Sequence, residues 1–355
     1  MLQVVETMEF DLDNVRISKK TPIMTPREVR NAFPLSHKAK QTVLMGRKEI
    51  ENIIIGRDNR FLMIVGPCSI HDPESAYEYA ARLNELRLRY ADKLCVIMRS
   101  YFEKPRTTIG WKGLMSTPSI VGPSDFDAGR LLGREILLKI NELGLPVATE
   151  ILDPSTPQVF SDLIAWGAIG ARTTESQSHR EMASGLSFPV GIKNGTGGSV
   201  EIAINAMLSA AHPHTFLGID EETGRQFSFE STGNQFSQLI LRGGTNGPNY
   251  DVDSVVKARQ ALVNRGLSAN MVVDCSHANA EGDFRKQYDV LQFVLKHRHS
   301  IDYPVSGVMI ESHLVEGRQD PAPLSELQYG QSVTDACIGF ELTKEMLGKT
   351  YESLG

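Results

Sequence analysis

The chain has 355 residues, of which 41% are hydrophobic and 23% charged, with a formal net charge of −6, so one large globular domain or two average ones fit and a general nucleic-acid binder does not. Cations gathered in one cleft of such an acidic chain would mark a site for a small anion. No apolar run approaches the roughly 20 residues of a membrane span, no secretory signal opens the chain, and Cys68, Cys95, Cys275 and Cys337 are too scattered for a disulfide framework, which predicts reduced thiols, no membrane partner and a cytoplasmic protein.

Residues 1–36 form a polar, irregular arm in which Thr25-Pro26-Arg27-Glu28 has the pattern of a helix start. A helix through Lys38–Ile55 precedes Phe61–Gly66, the first of eight short apolar runs, which leads to Cys68. A helix over Pro73–Tyr90 follows, then Leu94–Met98 ending at Arg99. Helices over Asp127–Leu143 and Pro157–Trp166 precede the runs Pro146–Thr149, which ends at Glu150, and Ala168–Ala171, which ends at Arg172. Pro189–Ile192 runs into Lys193, and a helix over Ser199–Ala211 comes next. The pattern is then interrupted at 215–231, where Phe216–Ile219 and Gln226–Phe229 flank Glu221-Glu222-Thr223-Gly224 and read as an inserted β-hairpin. Gln238–Leu241 ends at Arg242, Met271–Val273 at Asp274 and His277, and Val305–Ile310 at Glu311. Helices over Ser254–Arg265, Glu281–Lys296 and Thr334–Leu347 complete the series.

Apolar runs of this length are strands buried on both faces, and their alternation with helices implies parallel pairing. Eight of them favour closure into a (β/α)8 TIM barrel, one domain over 1–355, with the arm and the hairpin as additions for contacts or control. Reactive residues at strand C-terminal ends are where such barrels keep their active sites.

The densest chemistry follows the second run. Arg99-Ser-Tyr-Phe-Glu-Lys104-Pro-Arg106-Thr107-Thr108 holds three cations and two hydroxyls, and Arg172, Lys193 and Arg242 add three more cations at other strand ends. Arginine's planar fork suits phosphate and carboxylate, while lysine supplies a compact charge. One such residue is equally well read as a partner for a helix carboxylate in solvent; six at one rim are not. They suit a substrate carrying phosphate and carboxylate, or two phosphorylated substrates. The glycine-rich stretches Lys193-Asn-Gly-Thr-Gly-Gly198 and Arg242-Gly-Gly244 let backbone amides approach an anion, although such turns also arise for steric reasons alone. Cys68, His277, Glu311 and Asp335 form a donor set of one thiolate, one imidazole and two carboxylates, suited to one borderline divalent ion such as Mn, Fe, Co or Zn. A lone cysteine after a strand is more often a small buried hydrophobe. Three of these residues, however, follow runs one, seven and eight, which become neighbours when the barrel closes.

Gly66-Pro-Cys-Ser-Ile-His-Asp72, Glu103-Lys-Pro-Arg-Thr-Thr108, the Gly167–Gln177 stretch, Asp274-Cys-Ser-His-Ala-Asn279 and Glu311-Ser-His-Leu-Val-Glu-Gly317 together resemble type I, feedback-regulated 3-deoxy-D-arabino-heptulosonate 7-phosphate (DAHP) synthase over nearly the whole chain. The resemblance implies condensation of phosphoenolpyruvate with erythrose 4-phosphate, with Arg99, Lys104, Arg172, Lys193, Arg242 and the backbone at Ala171 on phosphoenolpyruvate. Lys104 would also donate a proton, and Arg106 and Thr107 would hold the aldose phosphate. Cys68, His277, Glu311 and Asp335 would carry the metal, one ion per subunit of a homodimer or homotetramer. An aromatic amino acid, tyrosine before phenylalanine, would bind at Asp13, Asn14, Pro157, Gln158, Ser187, Phe216 and Gly218. The preference for tyrosine rests on Gly218 leaving space where the phenylalanine-sensitive form carries serine, with Asn14 as an amide partner for the hydroxyl. Gly197 departs from the aspartate expected in its turn. Two rival readings are the related synthase using arabinose 5-phosphate, which lacks the Lys-Pro-Arg-Thr loop, arm and hairpin, and a non-catalytic sugar-phosphate sensor.

Overall fold

The computed structural model describes residues 12–106 and 109–355. Two helices, α1 (Pro26–Ala32) and α2 (His37–Ile54), precede the first strand. The helix α1 opens on a capping box in which Thr25 and Glu28 each bond the other's backbone amide. Strands β1 (Phe61–Gly66), β2 (Leu94–Arg99), β3 (Val147–Glu150), β4 (Trp166–Ile169) and β5 (Val190–Lys193) follow, each buried along its length. A hairpin of β6 (Thr215–Ile219) and β7 (Gln226–Glu230) stands apart, and β8 (Ser237–Leu241), β9 (Met271–Asp274) and β10 (Val305–Glu311) complete the series. The order β1-β2-β3-β4-β5-β8-β9-β10 closes when β10 pairs in parallel with β1, Glu311 lying beside Gly66. This is a (β/α)8 TIM barrel.

Alternation along each strand makes two apolar layers. Leu62 and Ile64 point into the barrel with Ile97, Trp166, Ile240, Val272 and Met309, while Phe61, Met63 and Val65 pack outward against the helices. Gly191 is required here, because a Cβ at that position would overlap the Trp166 indole that fills the barrel. Outside lie α3 (Pro73–Arg89), capped by Asp72, and α4 (Phe126–Leu143), ended by Gly144 at φ 95°. Five more helices close the shell: α6 (Gln177–Gly185), α7 (Val200–Ala210), α8 (Val252–Asn264), α9 (Gln287–His297) and α10 (Phe340–Ser353).

Four local expectations change. The helix expected to Trp166 is a short α5 (Thr156–Phe160) with one 3-10 turn, because the apolar Ile164-Ala165-Trp166 joins the sheet. The strand β4 therefore starts two residues before the expected Ala168, and Arg172 sits in the turn beyond it. The helix expected from Glu281 begins at Gln287, after two 3-10 turns. The last helix begins at Phe340, not Thr334, because bridges from Ser312 to Ile338, Gly317 to Cys337 and Arg318 to Ser332 hold the preceding segment in extended form. Asp335 and Cys337 thus lie on a loop laid against the end of β10.

The described part of the arm is tied to the barrel and to the hairpin. The Met24 amide donates to Asp127 at 2.8 Å, and Arg134 donates to the Phe33 carbonyl at 2.8 Å. The Arg27 amide donates to the Glu221 carbonyl at 2.8 Å, and its side chain pairs with Glu222 at the hairpin tip. Among the described residues, no helix is long and apolar enough to cross a membrane.

Candidate active site

The strand C-terminal ends surround a cavity of about 710 Å³ lined by Arg99, Lys104, Arg106, Ala171, Arg172, Lys193, Arg242, His277, Glu311 and Asp335. The six cations singled out from the sequence therefore share one basin. Thr107 lies outside the described residues.

Three of the four proposed metal donors meet there. Ligand atoms of Cys68, Glu311 and Asp335 lie within 4.8 Å of one another. Strand β1 delivers Cys68 and β10 delivers Glu311, neighbours only because the barrel closes between them. The loop before α10 brings Asp335, whose Oδ2 accepts from the Cys68 thiol at 3.4 Å. The fourth donor, His277, lines the same cavity with its Nδ1 turned away, 2.7 Å from Ser276 Oγ and 2.9 Å from Asp274 Oδ2. Engagement of Nδ1 by the Ser276 hydroxyl and the Asp274 carboxylate fixes the tautomer that presents Nε2 to a metal, the usual support of a ligating histidine. A sulfur and two carboxylates gathered at one point, with an imidazole on the wall of the same cavity, fit a borderline divalent ion.

The electrostatics suit that reading. Burial pushes the Cys68 thiol up to about 11, with Glu311 adding to the shift and Lys104 opposing it. A bound cation would have to displace that proton, since the thiolate is the ligand. Burial acts to raise the Asp335 carboxyl, yet Lys104, His277 and the Cys68 hydrogen bond hold it below its ordinary value. The Lys104 ammonium donates to Cys68 Sγ at 2.8 Å. Burial would lower its pKa, but the sulfur and nearby carboxylates raise it, so it stays a proton-bearing cation.

Arg99 is not open at the rim. Its side chain is 1% exposed, bonds Glu311 at 2.8 Å and the Pro67 carbonyl at 3.1 Å, and lies 3.6 Å from the Tyr101 ring centroid. Such a buried pair locks the metal-side carboxylate in place. On the opposite wall Lys193 ends β5 and donates to Asp274 at 2.9 Å. Burial works against ionising Asp274, but His277 and Lys193 drive its pKa well below the ordinary carboxylate range. Arg106 is anchored by its Nε to the Trp111 carbonyl at 2.7 Å, and the Arg242 amide donates to Asn194 at 2.9 Å. Gly197 has open space where a Cβ would stand, while Gly198, at φ 94°, makes the bend and packs against Gly244.

Two groups, the half-buried Glu103 and the fully buried Asp274, have roles that no sequence motif announces. Glu103 precedes Lys104 and accepts from Thr156 Oγ1 at 3.1 Å, joining the loop after β2 to the start of α5. Burial, with Asp153 adding to it, pushes its carboxyl up to about 8. Asp274 was legible as a strand end, but not as the partner of both Lys193 and His277. The signal was its spacing three residues before a histidine.

A second cavity, of about 430 Å³, lies away from the barrel mouth, and its lining includes Pro157, Gln158, Ser187, Phe216 and Gly218. Asp13 and Asn14 are not part of that lining; they lie in an exposed turn closed by a 2.8 Å bond from the Ile17 amide to the Asn14 carbonyl. The expected space beside Gly218 is not there. A Cβ at that position would overlap the Phe229 ring, which packs edge-on against Phe216 at 5.9 Å. Phe229 fills what the absent side chain vacates, so the missing side chain of Gly218 opens no room of its own for a tyrosine hydroxyl.

The DAHP synthetase I family model matches residues 32–348. The Tyr-sensitive phospho-2-dehydro-3-deoxyheptonate aldolase of Escherichia coli is 48% identical over 97% of this chain and 96% of its own length, and the Phe-sensitive enzyme of the same organism is 46% identical over 96% and 97%. The tyrosine-inhibited enzyme of Schizosaccharomyces pombe is 43% identical over 97% and 93%. The solved phospho-2-dehydro-3-deoxyheptonate aldolase of Francisella tularensis superposes with a TM-score of 0.92 at 45% identity, covering 95% of this chain and 98% of that one. The barrel, the cation-lined mouth and this agreement along the chain have one reading: the chain belongs to the DAHP synthetase I family.

Proposed function

We infer that the chain condenses phosphoenolpyruvate with D-erythrose 4-phosphate and water to give DAHP and inorganic phosphate, the first step of the shikimate pathway, under feedback by an aromatic amino acid. The observation that carries this reading is the single basin that gathers Lys104, Arg106, Arg172, Lys193 and Arg242 beside the Cys68, Glu311 and Asp335 cluster, with Arg99 beneath Glu311. Arg172, Lys193 and Arg242, with the backbone at Ala171, would hold the phosphate and carboxylate of phosphoenolpyruvate. Arg99 would act from beneath, fixing Glu311 and adding positive charge. Arg106, with Thr107, would take the phosphate of the aldose and so aim its carbonyl end inward.

Cys68, His277, Glu311 and Asp335 would hold one divalent ion, Mn, Fe, Co or Zn, which when bound supplies Lewis acidity toward the aldehyde oxygen. Lys104 stands between that cluster and the substrate basin, where its ammonium can deliver a proton to the oxygen formed from the aldehyde carbonyl. Phosphate then leaves by C–O cleavage after water adds at the enol carbon, so the chain needs no phosphoryl-transfer loop. The cavity lined by Pro157, Gln158, Ser187 and Phe216 is the proposed seat of the inhibitor, with the arm reaching it through the tip of the hairpin.

Phosphate release measured with erythrose 4-phosphate and with arabinose 5-phosphate, with and without a chelator, tests the activity. Chelator-sensitive turnover of the four-carbon aldose alone is expected. Turnover of the pentose, or none of either after metal loading, would refute it.

A further inference from the structure

Asp274 is 0% exposed and sits at the end of β9, between the two halves of the site. Its Oδ2 is 2.9 Å from Lys193 Nζ and 2.9 Å from His277 Nδ1. Its Oδ1 is pinned by the Ser276 amide at 3.1 Å and the Ser276 hydroxyl at 2.7 Å. One carboxylate oxygen thus serves a phosphate-side cation and a metal-side imidazole at once. The backbone at His277 has φ 56°, unusual for a residue with a side chain, and these bonds help hold the ring in that conformation.

We propose that Asp274 is a positioning residue that couples the two halves of the site, so that anion binding at Lys193 and metal binding at His277 strengthen each other. The inference rests on the metal and phosphoenolpyruvate assignments above. The mechanism is a shared acceptor. When an anion draws the Lys193 ammonium toward itself, Oδ2 keeps one N–H donor, and its bond to His277 Nδ1–H tightens. A tighter bond there makes Nε2 a stronger ligand. In the other direction, a cation on Nε2 makes Nδ1–H more acidic and takes up more of the Asp274 charge, which frees Lys193 for the anion. Linkage requires the two effects to be equal in size. Direct attraction between substrate and metal would also couple the sites, but that part does not pass through Asp274.

Cobalt(II) titration of the full chain, read by the thiolate-to-cobalt charge-transfer band of Cys68, gives a metal affinity without any turnover. The titration is run with and without phosphoenolpyruvate, the aldose being left out. For the unaltered chain, phosphoenolpyruvate should tighten cobalt binding at least about five-fold. Asp274→Asn should weaken cobalt binding about 10–100-fold and shrink the gain from phosphoenolpyruvate. Ser276→Ala keeps both charges but removes one anchor of Oδ1 and the hydroxyl 2.7 Å from His277 Nδ1, and should fall between the two. An Asp274→Asn chain with unchanged cobalt affinity and an undiminished gain overturns the proposal. If that variant does not fold, Ser276→Ala decides, and full affinity with full gain there overturns it equally. Absence of any thiolate band in the unaltered chain would instead remove the metal assignment, and the coupling with it.

Discussion

At the scale of single residues, the site divides by what each side chain touches, and that division predicts how variants fail. Cys68 is the softest donor of its cluster and is fully buried, so Cys68→Ala should fold while losing cobalt, iron or zinc binding and nearly all turnover. Metal content after dialysis, with circular dichroism as the check on folding, measures this, and chelator-resistant activity in that variant would contradict it. The cations should divide between the two substrates. Arg106 is exposed and its Nε is fastened to the Trp111 carbonyl, whereas Lys193 is buried against Asp274. Arg106→Ala should therefore raise chiefly the KM for the aldose phosphate, and Lys193→Met chiefly that for phosphoenolpyruvate. Each loss should be about one to two decades, since a charge-assisted contact contributes roughly 1.5–3 kcal/mol. A two-substrate kinetic matrix in which Arg106→Ala left the aldose constants unchanged would refute the division. Identities of this kind were legible in the sequence because chemistry-bearing types stood at strand ends. What was not legible was who held whom: Glu103 on Thr156, Arg99 beneath Glu311 and Asp274 against Lys193 are contacts between residues 53, 212 and 81 positions apart, which no local pattern records.

Elements carry the next set of consequences. The loop after β2 is tied to the start of α5 by Glu103 and Thr156, and the next residues of α5, Pro157 and Gln158, line the second cavity. Burial, then Asp153, raises the Glu103 carboxyl from its ordinary value to about 8, so the folded chain holds this proton where the unfolded chain has lost it. The folded state binds more protons between about pH 4.5 and 8, so stability from this group is full below that window and declines as pH rises through it. Denaturation midpoints across the window should fall more steeply for the unaltered chain than for Glu103→Gln, and identical slopes would sink the claim. In the hairpin, Gly218→Ser would drive a side chain into the Phe229 ring and displace Phe216, which faces the cavity. Overpacking of this kind costs about 1–3 kcal/mol, and inhibition by aromatic amino acids should weaken. Phosphate release titrated with phenylalanine, tyrosine and tryptophan measures it, and unchanged inhibition by all three would remove the hairpin from the inhibitor site. Elements with strong periodicity or apolar runs were readable in advance. The helix α6 was not, because Gln177–Gly185 is short, largely polar and rests on tertiary packing of Met182 and Ala183. Nor was the extended segment before α10, where bridges to Ser312, Gly317 and Arg318 hold a run of weak helix formers such as Val333, Thr334 and Asp335 outside the helix.

For the whole molecule, closure of the barrel and assembly of the site are one event. The seam lies between β1 and β10, more than two hundred residues apart in the chain, and pairs Leu62 with Gly307 through to Gly66 with Glu311. Eight buried runs announced the barrel, but only closure brings Cys68 beside Glu311, and only the loop before α10 adds Asp335. A metal bound there would join the first strand, the last strand and the C-terminal loop across that seam. No such site exists in the unfolded chain, where the three residues are scattered, so binding free energy should appear as folding free energy. A metal present at about 100 times its Kd contributes roughly 2.7 kcal/mol, provided the unfolded chain binds it weakly. Thermal unfolding of the chain should therefore shift upward by several degrees when manganese or cobalt is added after chelation, and the shift should grow with metal concentration. Cys68→Ala should show little of this shift, while Arg106→Ala, which lies off the seam, should show it in full. Equal shifts in Cys68→Ala and the unaltered chain would mean that the metal stabilises some other part of the molecule, and that the seam is closed by strand pairing and packing alone.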